Sequence, residues 1–304
     1  MDQRIDPGLG IKFQKPVNRL LNSDGSYNIR RIGGLNRIQD VYKHLIDMSW
    51  GYFFLYSGLF YLIVNLFFSV LYLIAGVDQL KGATMEEQDF MTAFFFSVQT
   101  FTTVGYGAIY PHGLFSQLVA TVEAFCGLLS FALATGLLYG RFSKPVVRIA
   151  FSKNVILTPY QGGEAVMFKM VNQRKNVLLK TRVNAILILD KGGADNSFNK
   201  EYYEVKLENN EVYFFPLTWT LVHPIDEDSP FWDMGVGELK YRNAELVLLV
   251  EAFDETYGQT VLQKYSYAGD QWKDGVRFDR NFGINDEGQI ELHVDRIDDL
   301  LPLD

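Results

Sequence analysis

The sequence predicts a membrane α plus all-β chain: two transmembrane helices with a short re-entrant helix and a glycine-bearing string between them, then a β-sandwich. Three observations carry this. Residues 48–77 and 90–140 together hold one formal charge, Glu123. The second of these runs is too long for a single crossing and contains the string Thr102-Thr103-Val104-Gly105-Tyr106-Gly107. Beyond Pro145 the pattern changes to short alternating apolar runs separated by turn residues, the signature of an all-β sandwich.

The totals agree with a divided chain. Its 304 residues suit two units at roughly 150 residues each. At 48% apolar and 15% aromatic it is rich for a soluble protein and modest for a multi-span transporter. A net charge of −8 argues against nucleic acid as the main partner. The single Cys126 excludes an intrachain disulfide and a cysteine-based zinc site. No signal peptide is visible, because the first apolar block starts near Met48, behind Arg and Lys residues.

In order, residues 1–34 are polar and turn-rich and read as a mobile N-terminal segment with a short extended piece at Tyr27–Ile32. Over 35–47, Ile38, Val41, Tyr42, Leu45 and Ile46 share one face of a helix. Just before a span, such a helix lies in the membrane interface. The outer helix is expected over 48–77, about 45 Å of helix against a hydrocarbon core of about 30 Å, with Trp50, Tyr52 and Tyr72 at its interfacial ends. A polar connection follows. The pore helix is expected over 90–102, too short to cross, with Asp89 complementing its dipole. The filter is 103–107, Pro111 breaks the chain, and the inner helix runs over 113–141. These elements make a pore domain of 48–144, leaving 145–304 to the sandwich. Eight Lys or Arg precede the first span, Lys81 alone lies in the connection, and Arg141, Lys144, Arg148 and Lys153 follow the second span. This asymmetry puts both termini in the cytoplasm, with the chain multi-pass in the cell inner (plasma) membrane.

The chemistry lies in the middle string. Glycines in alternation let the backbone take φ of both signs, so successive carbonyls can point one way. Carbonyls of Thr103, Val104, Gly105 and Tyr106, with the Thr103 hydroxyl below and Gly107 closing the turn, can replace the hydration shell of K+. One chain supplies one wall, so four must meet in a homotetramer. Non-helical backbone at membrane depth requires such a setting. Glu123 costs roughly 2.5–3.5 kcal/mol at a helix centre. It is read either as a buried acid supporting the filter from behind or as a carboxylate near enough to the interface to stay solvated. Gly127 or Gly136 hinges the inner helix, or else lets the outer helix approach closely. The sandwich holds 17 basic against 26 acidic residues, a balance that concentrates cations if it lines a vestibule.

Over roughly residues 20–280 the chain resembles inward-rectifier potassium channels of the prokaryotic kind. The marks are the Asp24-Gly25 turn, Thr103-Val104-Gly105-Tyr106-Gly107, the exit from Arg141 to Pro145, Phe151-Ser152-Lys153-Asn154, Asn172-Gln173-Arg174-Lys175, and the string from Val222 to Pro230 with its His223-Pro224-Ile225-Asp226. The resemblance implies a tetramer, a cytoplasmic immunoglobulin-like sandwich and gating by anionic lipid. It places the bulky gate at Tyr139. It also points to anionic, phosphoinositide-like headgroups near Arg141, Lys144, Arg148 and Lys153, although positive-inside bias alone explains those charges. The loop narrowing the cytoplasmic pore aligns with Tyr257, Gly258, Gln259, Thr260 and Val261. His223 and Asp226 are read as structural.

The chain also departs from the family pattern. Gln99 and Ile109 stand where an ion pair beside the filter is usual in eukaryotic members, which leaves Gln99, Thr102 and Glu123 as the filter's support. Phe131 and Lys180 replace acids used by strong rectifiers, so polyamine block is expected to be weak, with Mg2+ or polyamines as the candidate blockers. No catalytic elbow or metal-spaced cluster is present, and the chain is not expected to be an enzyme. A two-span channel with a nucleotide- or calcium-sensing domain would need alternating β/α units, which are not visible. A membrane-anchored β-sandwich serving as a scaffold leaves the filter string unexplained.

Overall fold

The computed structural model describes residues 4–10, 12–13, 19–22, 25–30, 32–33, 38–82, 89–191 and 198–303. Asp24, residues 35–37 of the expected interfacial helix, Glu86 and Glu87 of the polar connection, and the Gly192-Gly193 turn lie outside them. The chain divides into two compact units, Gly33–Lys144 and Met1–Ile32 with Pro145–Asp304.

The first unit is helical: α1 (Ile38–Asp47), α2 (Trp50–Ala75), α3 (Asp89–Phe101) and α4 (Leu114–Phe142). Helices α2 and α4 are long and apolar enough to cross a membrane, and their most apolar windows are only 22% and 17% buried. A core helix of a soluble protein would be mostly buried, so these helices present their apolar surface outward. Short α3 packs between them around Phe68, Tyr72, Ala93, Phe96 and Val119. Leu80–Lys81 pairs antiparallel with Tyr110–Pro111, a clasp between the two connections flanking α3 that local sequence does not announce. Tyr72 corrects the expectation of an interfacial anchor. It is fully buried and packs edge-to-face on Phe96 with ring centroids 4.9 Å apart.

The second unit is a sandwich of a six-stranded and a five-stranded sheet. With β1 for Lys12–Phe13, its long strands are β2 (Gly163–Asn172), β3 (Leu178–Asp190), β4 (Phe198–Val205), β5 (Thr218–Ile225), β6 (Glu245–Asp254) and β7 (Gln259–Ala268). The larger sheet runs β1-β4-β3-β6-β7, with Glu211–Phe215 also on β3, and the smaller is built around β2 with β5 at its edge. Phe168, Met170, Leu187, Leu246, Leu248, Tyr267 and Trp272 fill the space between the sheets. Strand β5 was not among the expected alternating runs. Pro224 pairs with Ala165 on the edge position, where a missing N–H costs no ladder bond.

The expectation of a mobile N-terminal tail is corrected for residues 19–22. Leu20 and Leu21 are buried, and their backbone N–H groups donate to the buried Glu245 carboxylate at 2.8 and 3.0 Å. Arg19 donates to the Ser266 hydroxyl at 3.0 Å. Tyr27 makes a single bridge to Leu21, and Arg31 of the expected extended piece lies outside the described residues. Partners more than 220 residues away cannot be read from local polarity.

His223 serves the sandwich as a buried tie. Its Nδ1 lies 2.6 Å from the Lys206 carbonyl and its Nε2 2.7 Å from Ser229 Oγ. The Lys206 carbonyl can only accept, so Nδ1 carries the proton, and in the neutral ring the Ser229 hydroxyl donates to Nε2. Burial pushes the His223 value down from the ordinary 6.5, against the Lys206 carbonyl and Asp226, which raise it. The unfolded chain therefore binds the proton first, and stability falls as pH drops below about 6.5. Thermal unfolding of the full chain in detergent across this range is expected to show the loss, and His223→Gln to flatten it.

Candidate functional site

Helix α3 delivers the chain to the filter string and then holds it. The Thr102 N–H donates to Val98 O at 3.1 Å, Thr103 N–H to Thr100 O at 3.0 Å, and Gly105 N–H to Gln99 O at 3.1 Å. The Thr102 hydroxyl also returns to Val98 O, at 2.7 Å. Positive φ falls on alternate residues: Thr103 at 58°, Gly105 at 53° and Gly107 at 78°. Alternation of backbone hand turns successive carbonyls to one side, the arrangement a cation requires. Nothing lies within 4 Å of a Cβ built on Gly105 or Gly107, so conformation and not space demands glycine there. Thr103 was not expected in this region, which is costly for a β-branched residue. Val104 and Tyr106 are exposed.

Behind the string lies Glu123 of α4, fully buried. Ser97 of α3 donates to its Oε1, and the Tyr72 hydroxyl of α2 donates to Oε2 at 2.6 Å. The carboxylate thus joins three helices. The Gln99 backbone carbonyl accepts from Gly105, while its side-chain Oε1 is buried with no partner among the described residues. Ile109 packs against the core that contains Tyr72 and Phe96. Sequence reasoning missed Asn65, Ser97 and the role of Tyr72. The available signal was Asn65, Ser69 and Tyr72, polar residues at helical spacing on one face of an apolar span.

The inner-helix candidates separate. Phe131 and Tyr139 are exposed on the chain. Gly136 has open space around it, whereas a Cβ on Gly127 would lie 2.0 Å from Phe101 O. The close packing at Gly127 is therefore against the end of α3, a correction to the outer helix as its expected neighbour. A cavity of about 910 Å³ is lined by Phe101, Thr102, Thr103, Gly127, Phe131 and residues of α2.

Arg141 is a further correction. It was grouped with headgroup-facing cations, yet it is buried. Its guanidinium donates to Leu45 O at 2.6 Å, Ile46 O at 3.0 Å and Met48 O at 2.8 Å. It lies 4.4 Å from the Trp50 ring centroid and 4.6 Å from that of Phe53. The charge that ends the inner helix is spent on the terminal carbonyls of α1, where the helix dipole is negative. Lys144 pairs with Asp47, and Lys153 with Asp298 at 3.4 Å. Arg148 is exposed. Of the expected cytoplasmic loop, Tyr257 and Gly258 form the turn, while Gln259, Thr260 and Val261 already belong to β7.

Comparison with known proteins now bears on this geometry. Residues 149–302 match the inward rectifier potassium channel C-terminal domain, and residues 54–144 match an ion channel family. The inward rectifier potassium channel Kirbac3.1 of Paramagnetospirillum magnetotacticum is 32% identical over 294 residues, covering 96% of this chain and 98% of that one. The G protein-activated inward rectifier potassium channel 2 of Rattus norvegicus is 24% identical, covering 88% of this chain and 68% of its own. Channel 4 of Mus musculus is 26% identical with 87% and 68% covered. These matches cover the two apolar helices and the all-β C-terminal half, and the chain belongs to the inward rectifier potassium channel family, whose members are ion channels and not enzymes.

Proposed function

We propose that four copies of this chain form a potassium-selective pore, with the carbonyls of Thr103, Val104, Gly105 and Tyr106 as the ion's ligands and K+ as the permeant ion. The observation that carries this is the alternation of positive φ at 103, 105 and 107 on the end of a helix too short to cross. The exposed Phe131 and Tyr139 and the apolar cavity suit the packing of neighbouring inner helices. Tyr139, one turn before the helix end, is the proposed constriction, and Gly136 the proposed hinge.

Both ends of the chain belong to one compact unit, and two crossings return the chain to the side it left. This supports both termini on one face, and the basic flanks make that face cytoplasmic. Lys144, Arg148 and Lys153 are the proposed contacts for anionic headgroups, each worth about 1 kcal/mol, with Arg141 removed from that set. Phe131 and Lys180 lack the negative charge that binds Mg2+ or polyamines, so rectification by them is weak.

Purified protein in liposomes is expected to take up Rb+ against a K+ gradient, to be blocked by Ba2+, and to exclude Na+. Uptake is expected to change when phosphoinositide is added. Equal Rb+ and Na+ uptake would refute the filter, and indifference to phosphoinositide would refute the lipid site while leaving the filter standing.

A further inference from the structure

We propose that Asn65, Ser97 and Tyr72 are positioning residues for ion selection, through which the outer helix α2 holds the filter in register; this rests on reading Thr103–Gly107 as the filter.

Asn65 sits fully buried in a span, where an amide is expensive unless satisfied. Its Nδ2 donates to Tyr61 O at 2.7 Å. That bond fixes the amide's orientation and leaves Oδ1 facing Ser97 Oγ at 3.1 Å. The Asn65 carbonyl accepts from Ser69 Oγ at 2.5 Å and also lies 3.1 Å from Ser97 Oγ. On its other side Ser97 meets Glu123, which Tyr72 holds from α2. One hydroxyl on α3 is thus the node between an outer-helix amide and an inner-helix carboxylate.

The node sits close to the filter along the chain. Ser97 is two residues from Gln99, whose carbonyl receives the Gly105 N–H. A single turn of α3 is therefore gripped behind by α2 and α4 and bonded in front to the central filter glycine. Coordinating oxygens must be held to about 0.5 Å by a shell whose own geometry is locked, and apolar packing would not lock the rotation of α3 as directed bonds do. Ser97 has one proton for three acceptors: Asn65 O, Asn65 Oδ1 and Glu123 Oε1. That proton can serve only one of them at a time, so removing the hydroxyl takes the donor from Glu123 and the polar contact from Asn65, and the effects of changing these residues are not additive.

The test compares Rb+ and Na+ uptake, and Ba2+ block, in liposomes containing wild type, Asn65→Ala, Ser97→Ala, Ser97→Thr or Tyr72→Phe, with oligomer size checked for each. The expected result is a fall of tenfold or more in Rb+ over Na+ preference for Ser97→Ala and Asn65→Ala, with oligomer size kept. Ser97→Thr, which retains the hydroxyl, restores the preference, and the double variant Asn65→Ala with Ser97→Ala is no worse than either alone. Wild-type selectivity in an assembled Ser97→Ala protein overturns the proposal. Should Ser97→Ala fail to assemble, Tyr72→Phe decides, since it removes one oxygen at the rim of the network, and unchanged selectivity there overturns it equally. Loss of selectivity in wild type itself would instead strike at the filter reading.

Discussion

Gly127→Ala is expected to abolish ion uptake and to weaken assembly, although it adds one methyl group to a helix. The added Cβ would lie 2.0 Å from the Phe101 carbonyl oxygen, 2.9 Å from its carbonyl carbon and 3.1 Å from its Cα. These are backbone atoms at the last residue of α3, so no side chain can swing away. Overpacking of a filled core costs about 1–3 kcal/mol even where side chains yield, and here α3 or α4 must move bodily. Phe101 directly precedes Thr102 and Thr103, so the displacement enters the proposed filter. Gly58→Ala is the control: it also puts a methyl on an apolar helix, but nothing lies within 4 Å of it. Rb+ uptake and oligomer size read the outcome. Normal uptake by Gly127→Ala would mean that α4 does not seat against α3 as described.

Arg141→Met is expected to release α1. The substitution keeps much of the stem but removes donors to three carbonyls and the stack on Trp50 and Phe53. Hydrogen bonds from a charged group contribute roughly 1.5–3 kcal/mol each, and a partly desolvated cation–π contact about 1–2 kcal/mol. Because the carbonyls regain water when α1 frays, a net loss of about 2–4 kcal/mol in the local stability of α1 is the scale to expect. Hydrogen exchange over residues 38–47 measures it, with faster exchange there and little change in the sandwich. Lys144→Met removes only the exposed pair with Asp47 and is expected to leave that exchange nearly unaltered.

Periodicity carried the fold class and composition carried the membrane. Two charge-poor stretches and a run of alternating strands are properties of contiguous residues, so a single sequence displays them. The alternating positive φ at Gly105 and Gly107 was legible for the same reason, since it is a matter of local backbone conformation. What escaped detection lies across helices or across the whole chain. Tyr72 reads as an interfacial aromatic until its hydroxyl is seen on Glu123, and Arg141 reads as one more basic flank until its guanidinium is seen on α1. The unusual φ of Thr103 follows from bonds to α3 that no propensity scale records.

The Glu245 carboxylate that receives the Leu20 and Leu21 N–H groups spans a sequence separation of up to 225 residues, and this sets an order of events during synthesis. The sandwich cannot be completed when its first residues leave the ribosome, because the strands that bind them follow the whole pore unit. The amino-terminal segment must therefore wait, unpaired, while both membrane helices are made and inserted. Closing a loop of that length costs little more than closing a shorter one, about 0.6 kcal/mol per doubling, but it is slow to find. The buried glutamate thus marks a joint that cannot close before residue 245 has been made. Substituting it is expected to delay maturation of the sandwich more than it disturbs the inserted helices.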